Sequence, residues 1–494
     1  MIRTRICFVI LLIAPLAVYW QAIFHEYGMR DDYAHLRESR EEPSKLVRFT
    51  ASHGRPVYGA LLETSYASLD GVSGLQWLRL TDVLLLTLLA LALWRQLFQS
   101  GWNELEAAVI GLGVVLLPAA QISTGWAINW PQILALLLAM AGFSAIETEL
   151  ERGGLKRVVA LLGGIMIYAI AALIYQSNAL FAVALIAAVY LVRAGRDRIP
   201  ATTWLLLHVA ALLAGLAVSY YLVQMLYNAG VFHESSRMQF ETNPFTKIGW
   251  FFWQPLPNAL ALFALRDDFT AGAIVFWPAA LAGAAIIGYA YRTVAHRADP
   301  LVRKRWLISL LILPLVAHSV SLLAGERATG YRVLFALSSL ILVLLIFSIR
   351  SLYLAGRLKT YLYYLALGLI VMAGIFSANR NAWSLLAEPQ GLEWEMVLTP
   401  TMRANFKGPT KVYIITPTIN DRSTEQIFSD EFGSLSADSD WVAREMFHAA
   451  IRERFQGKLP KGFSYTVTLG RTEPEPKAYN LVIDMRNLGK LRGL

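Results

Sequence analysis

Cysteine is almost missing from this chain of 494 residues: the single Cys7 lies inside the first apolar run, so no internal disulfide can form. Charge is scarce too, at 16% of residues against the quarter usual in soluble domains. No G-x-x-x-x-G-K-S/T loop, no G-x-G-x-x-G after a strand, no H-E-x-x-H and no paired C-x-x-C occurs. Nucleotide-driven and zinc-centred mechanisms therefore have no motif to stand on. There is also no repeat of fixed period and no low-complexity tract.

Apolar sequence is plentiful, with 56% hydrophobic residues and a mean hydropathy of +0.47. Those values predict a polytopic α-helical membrane protein. With a window of roughly 20 residues per span, about eleven stretches qualify: 5–23, 76–98, 104–120, 131–148, 156–174, 177–192, 203–227, 272–291, 306–324, 331–348 and 360–377. The opening segment carries Arg3 and Arg5 before its apolar run, as a signal peptide would. The run is long and no small-x-small site precedes the charged residues, which predicts a retained first helix.

The net charge of +9 is placed by topology, not by nucleic acid. With a cytoplasmic N-terminus, the inner turns "WRQLFQSGWNE", "ELERGGLKR", "RAGRDRIP", "YRTVAHRADPLVRKR" and "RSLYLAGRLK" all carry Lys or Arg. The outer turns "QISTGWAINW" and "YQSN" carry none, as the positive-inside rule requires. The run Arg303, Lys304, Arg305 then reads as topology and attraction to lipid headgroups. Three longer pieces fall outside: residues 24–75, about 228–270, and the tail. The division expected is a membrane domain, 1–379, and a small extracytoplasmic α/β domain, 380–494. In the tail "TKVYIITP", "SYTVTLG" and "YNLVIDM" read as strands, and "SDWVAREMFHAAIRERF" as a helix capped at Ser439 or Asp440.

The polar outer turns hold the candidate chemistry. Asp31 and Asp32 follow the first span directly; adjacent carboxylates at a partly dry interface repel, so one should titrate high, which suits a base for a hydroxyl proton. The same loop supplies Arg37, Arg40, Lys45, Arg48, His53 and Arg55, cations that suit a phosphate. Tyr175 and Gln176 stand in a turn too short to need them for solubility, and Glu326, Arg327 and Arg332 follow the ninth stretch. An outer arginine that defies the charge rule needs a partner, and a lipid-linked anion is one. His208 and His318, inside spans, read as hydrogen-bonded helix contacts; Asp82, near a helix end, is a weaker candidate. The aromatic run "WFFWQPLPNAL" fits a belt at headgroup level as well as it fits a substrate platform.

"RDDYAHLRE", "HGRPVYGALLE", "IYQS" and "ERATGYR" together resemble the GT-C superfamily of glycosyltransferases that use polyprenyl-phosphate sugars. More narrowly they are similar to the bacterial O-antigen glucosyltransferases of the phage serotype-conversion kind. Family members often show D-D-x-x-R, where this chain has His35 and places its nearest arginine at Arg37. The resemblance implies inverting transfer of a sugar from a polyprenyl-phosphate (undecaprenyl-phosphate) donor to a glycan, lipid or protein acceptor. The place implied is the periplasmic face of a bacterial inner membrane. It implies Asp31, or else Asp32, as the base; Arg55, Arg327 and Arg332 at the phosphate; and Tyr175 and Gln176 around the sugar. A divalent metal stays open, because the superfamily includes both kinds; the default is none required. A transporter or flippase of lipid-linked saccharides, and a polymerase or ligase of preassembled glycans, are the alternative readings.

Overall fold

The computed structural model describes residues 2–152, 154–193, 199–266, 273–406, 408–424, 428, 430–486 and 488. The basic stretch 194–198 and the end of the second outer loop, 267–270, lie outside the described residues.

The protein is a multi-pass helical bundle. Eight described helices are long and apolar enough to cross a membrane: Thr4–Phe24, Val72–Gln99, Ala127–Leu150, Gly154–Ile174, Ala201–Asn228, Ile274–Arg297, Tyr331–Leu354 and Thr360–Arg403. They coincide with eight of the eleven stretches expected. The other three depart from a straight span for identifiable reasons. Stretch 104–120 is two helices, Glu104–Val114 and Pro118–Gly125, bent by 48°. Pro118 has no N–H to continue the first and a φ already suited to starting the second. Stretch 177–192 is short, and Ala182–Leu191 is buried on every side, so it crosses the core without needing a span's length. Stretch 306–324 is broken: Pro300–Leu307 passes through a π-helical turn at Ile308–Ile312 into Leu313–Ala317 and Ser319–Leu323, with Pro314 just past the turn.

The basic turns meet one another at one end of the bundle. Glu106, buried and part of a capping box with Asn103, accepts from Arg350 at 2.9 Å and from the Tyr363 hydroxyl at 2.6 Å. Arg193 pairs with Glu151, and Arg305 donates to the Arg193 carbonyl. The long polar loops and the tail gather at the other end. There the first loop folds as three short helices, Asp31–Glu41, Lys45–Ser52 and Pro56–Ala67; the breaks fall at Pro43 and Pro56. The second loop docks through Lys247, which is buried and donates to the carbonyls of Ala324 and Glu326, each at 2.7 Å.

The last long helix carries the tail. At 1.5 Å per residue its 44 residues extend roughly 66 Å, about twice a hydrocarbon core. The tail expected from residue 380 therefore begins within this helix, and the sheet starts only at residue 410. Strands β1 (Thr410–Ile415), β2 (Tyr465–Gly470) and β3 (Leu481–Asp484) form an all-parallel sheet in the order β2-β1-β3. Helix Asp440–Arg454 has Ser439 at its N-cap and buries Val442, Met446, Phe447 and Ala450. Each large side chain so buried contributes about 1.5–3 kcal/mol.

Candidate active site

The turn after the first helix is built around a buried cation. Carbonyls at and just past the end of that helix lack intrahelical donors. Arg79, fully buried, supplies them: its guanidinium donates to Ile23, His25 and Tyr27 carbonyls at 3.3, 2.6 and 2.9 Å and lies 4.1 Å over the Tyr27 ring. Arg30 follows with φ 45° and ψ −108°, a backbone state that costs a non-glycine residue about 1–3 kcal/mol. Its N–H donates to Ser436 Oγ at 2.9 Å, so the tail helps hold the strained turn.

The helix that begins there separates the two carboxylates. Asp32 is fully buried: Oδ2 accepts the Met29 N–H at 2.9 Å, and Oδ1 accepts the Tyr66 hydroxyl. Burial pushes its carboxyl up to about 6, while the bonds from Tyr66 and Met29 and the charges of Arg79 and His35 pull it down. A raised carboxyl is what the sequence predicts, but burial raises it, not repulsion by its neighbour. Asp31, one residue earlier, is partly exposed. Its charge acts on Arg332, as do Glu431, Tyr175 and Tyr58.

Three turns at this end of the bundle converge on this point. Arg332 lies 5.1 Å over the Trp126 ring, with Nε 3.5 Å from Glu431 Oε1. Arg55 lies 4.2 Å over the Tyr175 ring, and its Nε–H donates to Gln176 Oε1 at 3.0 Å. Gln176 Nε2 in turn donates to the Gly54 carbonyl at 2.9 Å. Gly54 has φ 77°, a left-handed conformation that favours glycine at this turn. Tyr58 packs edge-on to Tyr175 and donates to the Ile128 carbonyl at 3.0 Å. Arg55, Tyr175 and Gln176 thus form one contact patch, and Arg332 feels the charges of both Tyr175 and Asp31 through space.

The remaining predicted residues lie beside it. Arg37 does not reach the patch: its Nε and Nη2 donate to Glu445 at 2.8 Å each and its Nη1 to Glu42 at 2.6 Å. The guanidinium that sequence assigns to a phosphate instead clamps the first loop to the tail helix. His53 turns toward its own helix, Nδ1 2.8 Å from the Phe49 carbonyl, and burial holds it below the usual imidazole value. Glu326 pairs with Arg237 at 3.8 Å, both well exposed. Arg327 is exposed and acts on Glu241 and Lys247 of the second loop. His53, Glu326 and Arg327 therefore make a second, more open rim facing that loop.

Several groups at the site escape sequence reasoning. Tyr58, Tyr66, Trp126 and Glu431 are among them. Arg79 had a signal, since a cation in the apolar run "LQWLRLTDVLLL" demands a partner. Its neighbour Asp82 accepts from Ser123 at 2.7 Å and Thr124 at 3.3 Å, and His208 meets Glu147 at 3.1 Å. Among the described residues no three His, Cys, Asp or Glu side chains converge as a metal site requires. Comparison of the chain with protein-family models and with curated proteins finds no match.

Proposed function

We propose that this protein is a membrane glycosyltransferase of the GT-C kind. It moves a sugar from a polyprenyl-phosphate donor, undecaprenyl phosphate in a bacterium, to a glycan, lipid or protein acceptor at the periplasmic face of the inner membrane. The N-terminus is then cytoplasmic and the tail domain periplasmic. One observation carries the reading: a partly exposed carboxylate, Asp31, acts through space on Arg332, which also feels Tyr175 of the contact patch Arg55, Tyr175 and Gln176. A base and phosphate-binding cations at one mouth of a bundle match what a lipid-borne sugar donor needs where nucleotide sugars are not supplied.

In the reaction the acceptor hydroxyl oxygen attacks the anomeric carbon and its proton passes to Asp31. The bond from that carbon to the phosphate oxygen breaks with inversion, and the polyprenyl phosphate leaves with the electron pair. Arg332 and Arg55 stabilise the charge that gathers on it, the kind of interaction that usually dominates such catalysis. Asp31 is preferred to Asp32 on geometry, which precedes pKa in choosing a base. Asp32 has both oxygens occupied and no exposure; it is a positioning residue that fixes the start of the helix.

A carrier for lipid-linked saccharides is the second reading. The bent pair at residues 104–125 and the broken helix at 300–323 favour it, because transporters bind at interrupted helices. The test is purified protein in sealed liposomes with radiolabelled undecaprenyl-phosphate glucose and a bacterial glycolipid extract. New labelled glycoconjugate supports the enzyme; relocation of an unchanged donor across the bilayer supports the carrier and contradicts the enzyme.

A further inference from the structure

The second loop does not stay outside the bundle, where its sequence is expected to lie. Helix Pro244–Trp253 starts level with the end of the broken helix, where Lys247 bonds the Ala324 and Glu326 carbonyls. It then runs past His318, whose ring centroid lies 5.7 Å from those of both Trp250 and Phe251. A break at Gln254 leads into the short helix Pro255–Leu260. There the Leu260 carbonyl comes so near Gly283 that a Cβ on that glycine would stand 2.9 Å from it, and a Cβ at Gly374 would stand 3.1 Å from the Phe263 ring.

Those two glycines gauge the depth. Gly283 is nine positions from Ile274 at the loop end of its span and nine from Arg292, the first charged residue toward the basic end, roughly 14 Å from each at 1.5 Å per residue. Gly374 stands roughly 21 Å from Thr360, at the basic end of its own span. In a hydrocarbon core about 30 Å thick, both lie below the headgroups. Arg266, 5.5 Å from the Trp277 ring, is back near the start of the span that follows. We infer that residues 244–266 form a re-entrant segment that dips about halfway into the bilayer, with one face of helix Pro244–Trp253 against lipid acyl chains.

Two observations favour lipid as what covers that face. Phe245, Ile248, Phe252 and Trp253 are exposed, Phe245 at 85% and Trp253 at 64%, whereas Lys247, Trp250 and Phe251 on the other side are buried. The flanking helices expose Leu311, Ile312 and Leu323 on one side and Ile274 and Val275 on the other, so the apolar face continues the flanks of its neighbours. The second observation concerns the backbone, because irregular chain at membrane depth survives only where protein satisfies its polar groups. That condition is met here. Arg266 donates to the Trp253 carbonyl at 3.0 Å and Ser377 Oγ to the Phe263 carbonyl at 2.7 Å, while the Arg266 N–H donates to the Tyr331 hydroxyl at 2.8 Å. Arg237 and Arg327, exposed where the helix enters, then stand at the level of lipid phosphates.

Spin labels on the full-length protein in proteoliposomes test this, in a Cys7→Ala background so that each label is unique. Phe252→Cys is compared with Leu281→Cys, exposed midway along a span, and with Glu475→Cys, exposed in the tail. By power saturation Phe252→Cys should match Leu281→Cys, open to oxygen and shielded from a water-soluble nickel chelate, and Phe245→Cys should report a shallower depth. A label at Phe252→Cys as open to nickel as one at Glu475→Cys overturns the re-entrant path. A label that meets neither reagent shows that protein, such as a second copy, covers the face, and overturns the lipid assignment. The wild-type protein supplies a readout that needs no variant. In vesicles of phosphatidylcholine with a mid-chain diazirine, irradiation should attach lipid to residues 244–254 as it does around Leu281. Attachment around Leu281 with none on 244–254 overturns the inference as well.

Discussion

The Tyr66 hydroxyl donates to Oδ1 of Asp32 inside the protein, while Asp31, its neighbour in the chain, remains partly exposed and acts on Arg332. A doublet that is symmetric in sequence is thereby split into a fixed strut and a free carboxylate. Helix geometry does the splitting. Successive residues at a helix start project about 100° apart, so only one can face the mouth.

Removing the phenol tests the strut. The folded Asp32 carboxyl is raised to about 6 from 3.8. A raised value favours the fold fully below 3.8, and that contribution is lost as pH rises through about 6. The group gives up about 3 kcal/mol across that window. Tyr66→Phe deletes a donor to the charged form, so its cost, about 1–3 kcal/mol, should be larger near pH 8 than near pH 5. Denaturant unfolding in detergent at the two pH values measures this; an equal loss at both would contradict it.

Arg37 and Glu445 should couple the first loop to the tail. Their two parallel bonds are only partly exposed, so a double-mutant cycle with Arg37→Ala and Glu445→Ala should give about 1–2 kcal/mol of interaction. The readout is exchange protection of helix Asp440–Arg454. Either single variant should loosen that helix while the spanning helices stay protected.

Arg332→Lys should separate charge from shape. Lysine keeps the cation but loses the planar group that spreads over Trp126 and reaches Glu431. Transfer should fall about 100-fold in kcat with a smaller change in donor KM, because the group acts on charge that develops as the phosphate leaves. A pure KM effect would reassign Arg332 to ground-state binding.

How far sequence reached is clear at particular residues. Apolar length alone locates the eight long helices, and alternation and spacing locate β1, β2, β3 and helix Asp440–Arg454, because each signal is local. The three departures lie at Pro118, at the buried alanine-rich helix 182–192 and at the π turn by Pro314, where packing inside the bundle replaces the need for a straight span. At the site, Arg55, Tyr175, Gln176 and Arg332 could be named from turns that defy their expected composition. Arg37 could not be told from them, because its partner Glu445 lies 408 residues away and nothing local marks the pairing.

The most direct test of the central claim is transfer by Asp31→Asn in native membranes with undecaprenyl-phosphate-linked sugars. The account predicts a folded protein whose transfer rate falls by about 10²–10⁴, the usual contribution of a positioned base. An Asp31→Asn protein that folds and transfers sugar at the wild-type rate would contradict it.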